Sequence, residues 1–184
     1  MVWCPKNSIY ILLSLTLGLS SCSSPLGNQR ITPPTQTVGA TLNSSSAEQH
    51  SSLSSDGRYI VFASDRLAQR SIFLYDLTSR RLVSLPGLNS PGVWQDQPDI
   101  SADGRYIVYI SEQLGKFDVF VYDRQTLQAE RLTQELYGEI RNPSISGNGR
   151  FVTFETNRLG QWDIEIIDRG LTIEPSLPKL EPSD

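Results

Sequence analysis

Residues suited to catalysis are few in this chain, and their spacing does not serve it. His50 is the single histidine. It stands in Gln49-His50-Ser51-Ser52 and reads as a surface residue rather than a general base. Asp96 and Asp99 form a carboxylate pair of the type that breaks glycosidic bonds, but in a polar joint such a pair reads as solvated. Gly-x-Ser-x-Gly, His-Glu-x-x-His and phosphate-loop patterns do not occur in the sequence. Asp65, Asp96 and Asp99 offer oxygen ligands alone, a set that calcium would take if any ion did. The chain is therefore expected to have no catalytic residue, no cofactor and no metal centre.

The residue types that do recur belong to turns. Ser54-Ser55-Asp56-Gly57-Arg58 returns as Ser101-Ala102-Asp103-Gly104-Arg105 and as Ser146-Gly147-Asn148-Gly149-Arg150, and the glycines are 47 and 45 residues apart. Leu53/Ile100/Ile145, Leu67/Leu114/Leu159 and Asp76/Asp123/Asp168 keep the same offsets. An acid or Asn caps such a turn, glycine supplies the positive φ, and the Arg lies along a neighbouring strand. A structural role thus accounts for Asp56, Asp103, Arg58, Arg105 and Arg150.

Each turn leads into a β-branched and aromatic run that ends in a polar loop. A second apolar run follows and stops at Asp76, Asp123 or Asp168. A weaker third run and the short segment before each turn bring the unit to four expected strands. The runs are apolar on both faces, with Tyr106, Val108 and Ile110 on one side and Ile107 and Tyr109 on the other. Sheets of this kind must be sandwiched, and a period near 45 with four strands is that of a propeller blade.

The pattern Ser-x-Asp-Gly-Arg, apolar strand, Ser-Asp-Arg or Thr-Asn-Arg, then a strand closing on Tyr-Asp resembles the TolB-like propeller repeat, a relative of the WD-type repeat. It covers residues 49–169; the second unit departs from it with Glu112-Gln113 in the loop. With the three units counted above, the expected fold is an all-β, open, three-bladed partial propeller of four-stranded antiparallel blades, and the resemblance agrees with a propeller. With no catalytic constellation found above, the expected role is non-enzymatic protein binding, and the resemblance implies a relation to envelope integrity or Tol–Pal-like transport. The alternative is a periplasmic ligand or glycan receptor, or a non-catalytic accessory of a hydrolase.

Upstream, one cation, Lys6, precedes an apolar run over residues 9–19. That run is too short for a membrane helix, which needs about 20 residues, and matches an export signal. Leu19-Ser20-Ser21-Cys22 resembles the bacterial lipoprotein processing box, which implies cleavage before Cys22 and lipid attachment at its thiol. Ser23 beside it favours the outer membrane over the inner by enterobacterial rules. With Cys4 lost in the signal, no intrachain disulfide is left to form. The expected organisation is a signal peptide over 1–21, a lipidated and flexible linker over 22–46, three blades over 47–174 and a disordered tail over 175–184.

Without the signal, 15 basic residues face 20 acidic ones, a balance that excludes an electrostatic nucleic-acid partner. Three units are fewer than the four to eight blades of closed propellers. They form an open arc, pair with a second copy into a ring, or recruit blades from a partner. If Thr153, Glu155, Asp163 and Glu165 share one face, the third unit is a polar cap. The first unit, with Ile60, Phe62, Ile72 and Leu74 on one face and Val61, Phe73 and Tyr75 on the other, has no such relief, and its outer side is expected to be covered by the linker or by a partner. A protein partner is expected on the rim formed by the joints and the loops after the first long strands: Asp65, Arg66, Trp94, Tyr137, Arg141, Asn157 and Arg158; Trp94 and Tyr137 read equally as packing the blade-to-blade joints.

Overall fold

The structure, a computed structural model, describes residues 41–171 and Ile173. The first blade comprises β1 (Glu48–Leu53), β2 (Tyr59–Ser64), β3 (Ser71–Asp76) and β4 (Arg81–Val83). The second comprises β5 (Gln95–Ile100), β6 (Tyr106–Ser111), β7 (Asp118–Asp123) and β8 (Gln128–Arg131). The third has β9 (Ile140–Ile145), β10 (Phe151–Thr156) and β11 (Asp163–Asp168). Each sheet is an antiparallel meander in chain order. The described residues include no fourth strand in the third blade; its expected position follows β11, where description ends. The signal peptide, Cys22 and nearly all of the expected linker and tail lie outside the described residues.

Every glycine turn is built from the same hydrogen bonds. Ser54 Oγ donates to Asp56 Oδ1 at 2.5 Å, and the same carboxylate accepts from Arg58 N–H at 2.9 Å. Tyr59 N–H then donates to Ser54 Oγ at 2.9 Å. Ser101 with Asp103, and Ser146 with Asn148, repeat the arrangement. Arg58, Arg105 and Arg150 each reach the Asp that closes the third strand of their own blade: Asp76 at 3.2 Å, Asp123 at 3.0 Å and Asp168 at 2.6 Å. That Asp also caps the next turn, as where Asp76 Oδ1 accepts from Thr78 and Ser79 N–H. The structural role expected of these residues holds.

Blades pack face to face through two apolar clusters. Tyr59, Val61, Ala63, Ile72 and Leu74 of the first blade meet Ile107, Tyr109, Phe120 and Tyr122 of the second. The far face of the second, with Tyr106, Val108, Ile110, Val119 and Val121, meets Ile145, Val152 and Phe154 of the third. Each buried aromatic adds about 150–250 Å² to this apolar area. Burial holds the Tyr109 hydroxyl well above its ordinary pKa.

The joints also contain a repeated seat. A Cβ on Gly104 would lie 2.5 Å from the Tyr59 ring, so that ring rests directly on the second blade's turn. Arg58 and Arg124 cover its faces, 4.9 and 4.4 Å from the centroid. Tyr106 rests in the same way on Gly149, between Arg105 and Arg169, both at 4.8 Å. Backbone bonds run alongside, from Asp56 N–H to Ala102 C=O at 3.1 Å and from Ala102 N–H to Gly147 C=O at 3.0 Å.

Strand register corrects the expected faces at both ends. Ser64 pairs with Ser71 and Phe62 with Phe73. Ile60, Phe62, Phe73 and Tyr75 therefore share the outward face, and Val61, Ile72 and Leu74 turn inward. In the third blade Thr153 pairs with Ile166 and Glu155 with Ile164, while Asp163 and Glu165 oppose Thr156 and Phe154 on the inner face. The four polar residues are thus divided between two faces, and the expected polar cap does not form. A one-residue change of register exchanges the faces of a strand.

The first blade's outward face is covered from the linker side. Phe62 and Phe73 stack at 5.8 Å, and Arg66 lies over both rings, 5.2 and 4.8 Å from the centroids. Its guanidinium donates to Glu48 Oε1 and to the carbonyls of Thr41 and Leu42 at 2.7–2.8 Å. Residues 41–46, part of the expected linker, are thereby held against the blade. Burial raises the Glu48 pKa, but hydrogen bonds from Ser44 and Arg66 outweigh it and leave the carboxyl below its usual range.

Candidate functional site

Antiparallel pairing decides which loops meet. Glu48 pairs with Ser64, Gln95 with Ser111 and Ile140 with Thr156, so each innermost strand begins where its neighbour ends. The joints before β5 and β9 therefore lie at the same end of the array as the loops after β2, β6 and β10. The glycine turns occupy the other end. All seven expected rim residues sit at the joint end, but their surroundings differ.

Tyr137 projects outward, 81% exposed, and Trp94 is half exposed at 49%. Trp94 borders a recess of about 520 Å³ lined by Asp65, Gln69, Arg70 and Glu112. Its position is fixed from behind: Glu112 N–H donates to the Trp94 carbonyl at 3.0 Å, and Gln69 bonds both Ser90 C=O and Gly92 N–H. Arg70 sits between Asp65 at 3.4 Å and Asp96 at 3.5 Å. Cation and anions together make this recess polar on one wall and aromatic on the other.

Tyr137 stands at a second recess of about 540 Å³, lined by Leu132, Leu136, Arg158, Glu165 and Ile167. Its joint is anchored by Asp118, a buried carboxylate contacted by Lys116 at 2.5 Å, Arg131 at 2.6 Å and Thr133 at 2.8 Å. Burial pushes the Asp118 pKa up, and these three donors more than reverse it. Lys116 extends to the carbonyls of Thr133 and Leu136. Asn157 holds the other side, its Oδ1 accepting from Glu139 N–H at 2.8 Å.

The remaining expected rim residues are engaged in pairs. Arg158 is bonded to Glu165. Arg141 bonds Glu155 at 2.7 Å and stacks on Trp162, 3.8 Å from the ring centroid. Hydrogen bonds from Asn142 and Arg141 hold the Glu155 carboxyl below its ordinary pKa. Arg66 is the most deeply placed of the seven, with its donors turned inward as described above.

A third recess, about 400 Å³, lies among the innermost strands and is lined by His50, Gln97, Asp99, Asn142 and Ser144. Here the structure departs from the expected solvated carboxylates. Asp96 is buried and accepts from the His50 ring at 2.8 Å. Asp99 accepts from Ser52 Oγ at 2.6 Å, Ser144 Oγ at 2.8 Å and Ile145 N–H at 2.9 Å. The two acids staple one blade to the next. Asp65, Asp96 and Asp99 do not converge: among the described residues no three acidic, His or Cys side chains group as metal ligands.

Sequence reasoning missed the geometry of this recess. His50, Gln97 and Asn142 have φ of 50°, 51° and 51°, each at a register shift in its strand. These bulges direct polar side chains toward the axis. The signal was present, since the three residues keep the 47- and 45-residue offsets of the glycines.

No family model and no curated protein matches the chain. Solved structures do. TolB from Acinetobacter baumannii superposes with a TM-score of 0.57 at 21% identity, over 73% of this chain and 33% of that one. A putative TolB from Agrobacterium tumefaciens gives 0.53 at 24%, over 67% and 43%. A puromycin-hydrolysing peptidase of Mycobacterium tuberculosis gives 0.50 at 15%, over 74% and 22%. The chain thus spans less than half the length of each, and at these identities the likeness is one of fold. The described residues fold as three consecutive β-propeller blades, similar in fold to those of TolB.

Proposed function

We propose that the array is a non-enzymatic protein-binding scaffold of the cell envelope, carried on a lipid attached at Cys22, with the joint end as its contact surface. The observation that supports this reading most is the exposure of Trp94 and Tyr137 at the same end of the propeller. Aromatic side chains beside Arg are favoured at protein contacts. Each also has a rigid base, so little ordering is required on binding. The likeness to TolB adds support through fold, and the lipoprotein box adds support for the anchor and for envelope integrity or Tol–Pal-like transport as the setting.

Cross-linking of the full chain in intact cells tests the reading. A discrete protein adduct is expected for the wild type and not for Trp94→Ala/Tyr137→Ala, with far-UV circular dichroism unchanged. An adduct retained by the double variant refutes the proposed surface. The polar axial recess favours a second reading, a receptor for a small polar ligand or glycan. Under it, glycan and peptide arrays give binding that Gln97→Ala abolishes and the aromatic variants leave intact.

A further inference from the structure

Phe151 is the third member of the series begun by Tyr59 and Tyr106, and the described residues include no further turn to receive it. Tyr59 sits on Gly104 under Arg124, and Tyr106 on Gly149 under Arg169. Phe151 has Arg150 of its own blade over its ring at 4.8 Å, with no arginine of another blade beside it among the described residues, and is 39% exposed. Register places it on one face with Ile164 and Ile166, which are 74% and 67% exposed. In the first and second blades this same face is covered by the next blade.

The other end of the array offers no matching surface. Leu77 occupies the position that Arg124 and Arg169 hold in the receiving blades. Arg66, Glu48 and residues 41–42 close the outward face of the first blade. Head-to-tail addition of a second copy therefore lacks its seat. Among the described residues, the open apolar sheet face that a second copy can offer is that of its own third blade, which gives the geometry of a two-fold dimer.

The charges on this face suit such self-pairing. Arg141 and Glu155 form a pair at one margin, and Arg150 and Asp168 at the other. Cations and anions are equal in number there, so a second copy meets opposite charges without a surplus of either sign. We propose that the outward face of β10 and β11 binds the same face of a second copy of this chain, with Phe151, Ile164 and Ile166 at the centre of the contact.

Sedimentation velocity of the full chain up to ~100 µM, a range that detects micromolar association, tests this. The expected result is a dimer for the wild type and for the control Leu53→Asp, an exposed leucine of the first blade. A monomer is expected for Ile164→Asp/Ile166→Asp with circular dichroism unchanged. Should that variant fail to fold, Ile166→Cys in a Cys4→Ser/Cys22→Ser background replaces it. Mild oxidation should give a disulfide-linked dimer there and none for Leu53→Cys. A monomeric wild type overturns the proposal and leaves the face to a further blade or a different protein. A dimer that survives Ile164→Asp/Ile166→Asp, or absence of the Ile166→Cys cross-link, also overturns it.

Discussion

Substituting alanine for Gly104 separates the inter-blade seat from ordinary turn strain. Gly57 and Gly104 have nearly the same backbone, φ 69° and 78°, but Gly57 has nothing within 4 Å of a built Cβ. At Gly104 that Cβ meets the Tyr59 ring at 2.5 and 3.0 Å and Arg124 Nη1 at 3.2 Å. A left-handed alanine costs about 1–2 kcal/mol, and forcing an atom into a packed contact adds about 1–3 kcal/mol. Gly57→Ala should therefore lose roughly 1–2 kcal/mol and Gly104→Ala roughly 2–5 kcal/mol, read as midpoints in urea. The Tyr59 ring has little room to yield, being held between two guanidinium groups. In a double-mutant cycle, Tyr59→Ala should absorb most of the added penalty, leaving a coupling of about 1–3 kcal/mol. Equal losses at Gly57 and Gly104, or a coupling near zero, would refute the seat.

Three further outcomes follow from the charged groups. Arg66→Lys should cost about 1–3 kcal/mol, because a lysine keeps the charge but not the planar stack over Phe62 and Phe73 or the fork onto Glu48 and the two carbonyls; urea unfolding measures it. Asp118→Ala should cost about 2–4 kcal/mol, since Lys116, Arg131 and Thr133 all point at the deleted carboxylate. Hydrogen exchange should quicken first in the joint that carries Tyr137. Acid should destabilise the array because Glu48, Asp118 and Asp123 titrate below their ordinary range when folded. The unfolded chain takes up protons first as pH falls through about 4, so the stabilisation is complete above that value and declines below it. Urea midpoints recorded between about pH 6 and 2 should fall monotonically, and less steeply in Asp118→Asn.

The repeat was legible because its turns need particular residues. Gly57, Gly104 and Gly149 supply positive φ, and the Ser and Asp or Asn before them close the turn through side chains. The middle blade's faces were legible too, since both sides of β6 are apolar and either assignment meets a core. At the ends, alternation within a strand did not reveal which parity of the next strand shares its face. That parity is fixed by the loop from Asp65 to Arg70, which lets Ser64 oppose Ser71, and loop geometry leaves little trace in hydrophobicity. The axial bulges escaped notice because His50, Gln97 and Asn142 reach positive φ without glycine. At the rim, the exposed aromatics were foreseeable as loop residues, but the inward turn of Arg66 depends on Phe62 and Phe73 lying beneath it.

The asymmetry of the seats bears on how such an array can be lengthened. Blade one contributes a ring without offering a complete place for one, because Leu77 stands where an arginine is needed. The middle blade does both, through Tyr106 on one flank and Gly104 with Arg124 on the other. A tandem duplication of the middle copy would satisfy every new junction with parts already encoded, whereas duplicating blade one would leave a tyrosine facing leucine. Between the second and third blades, therefore, one more copy of the middle unit fits without a new kind of joint.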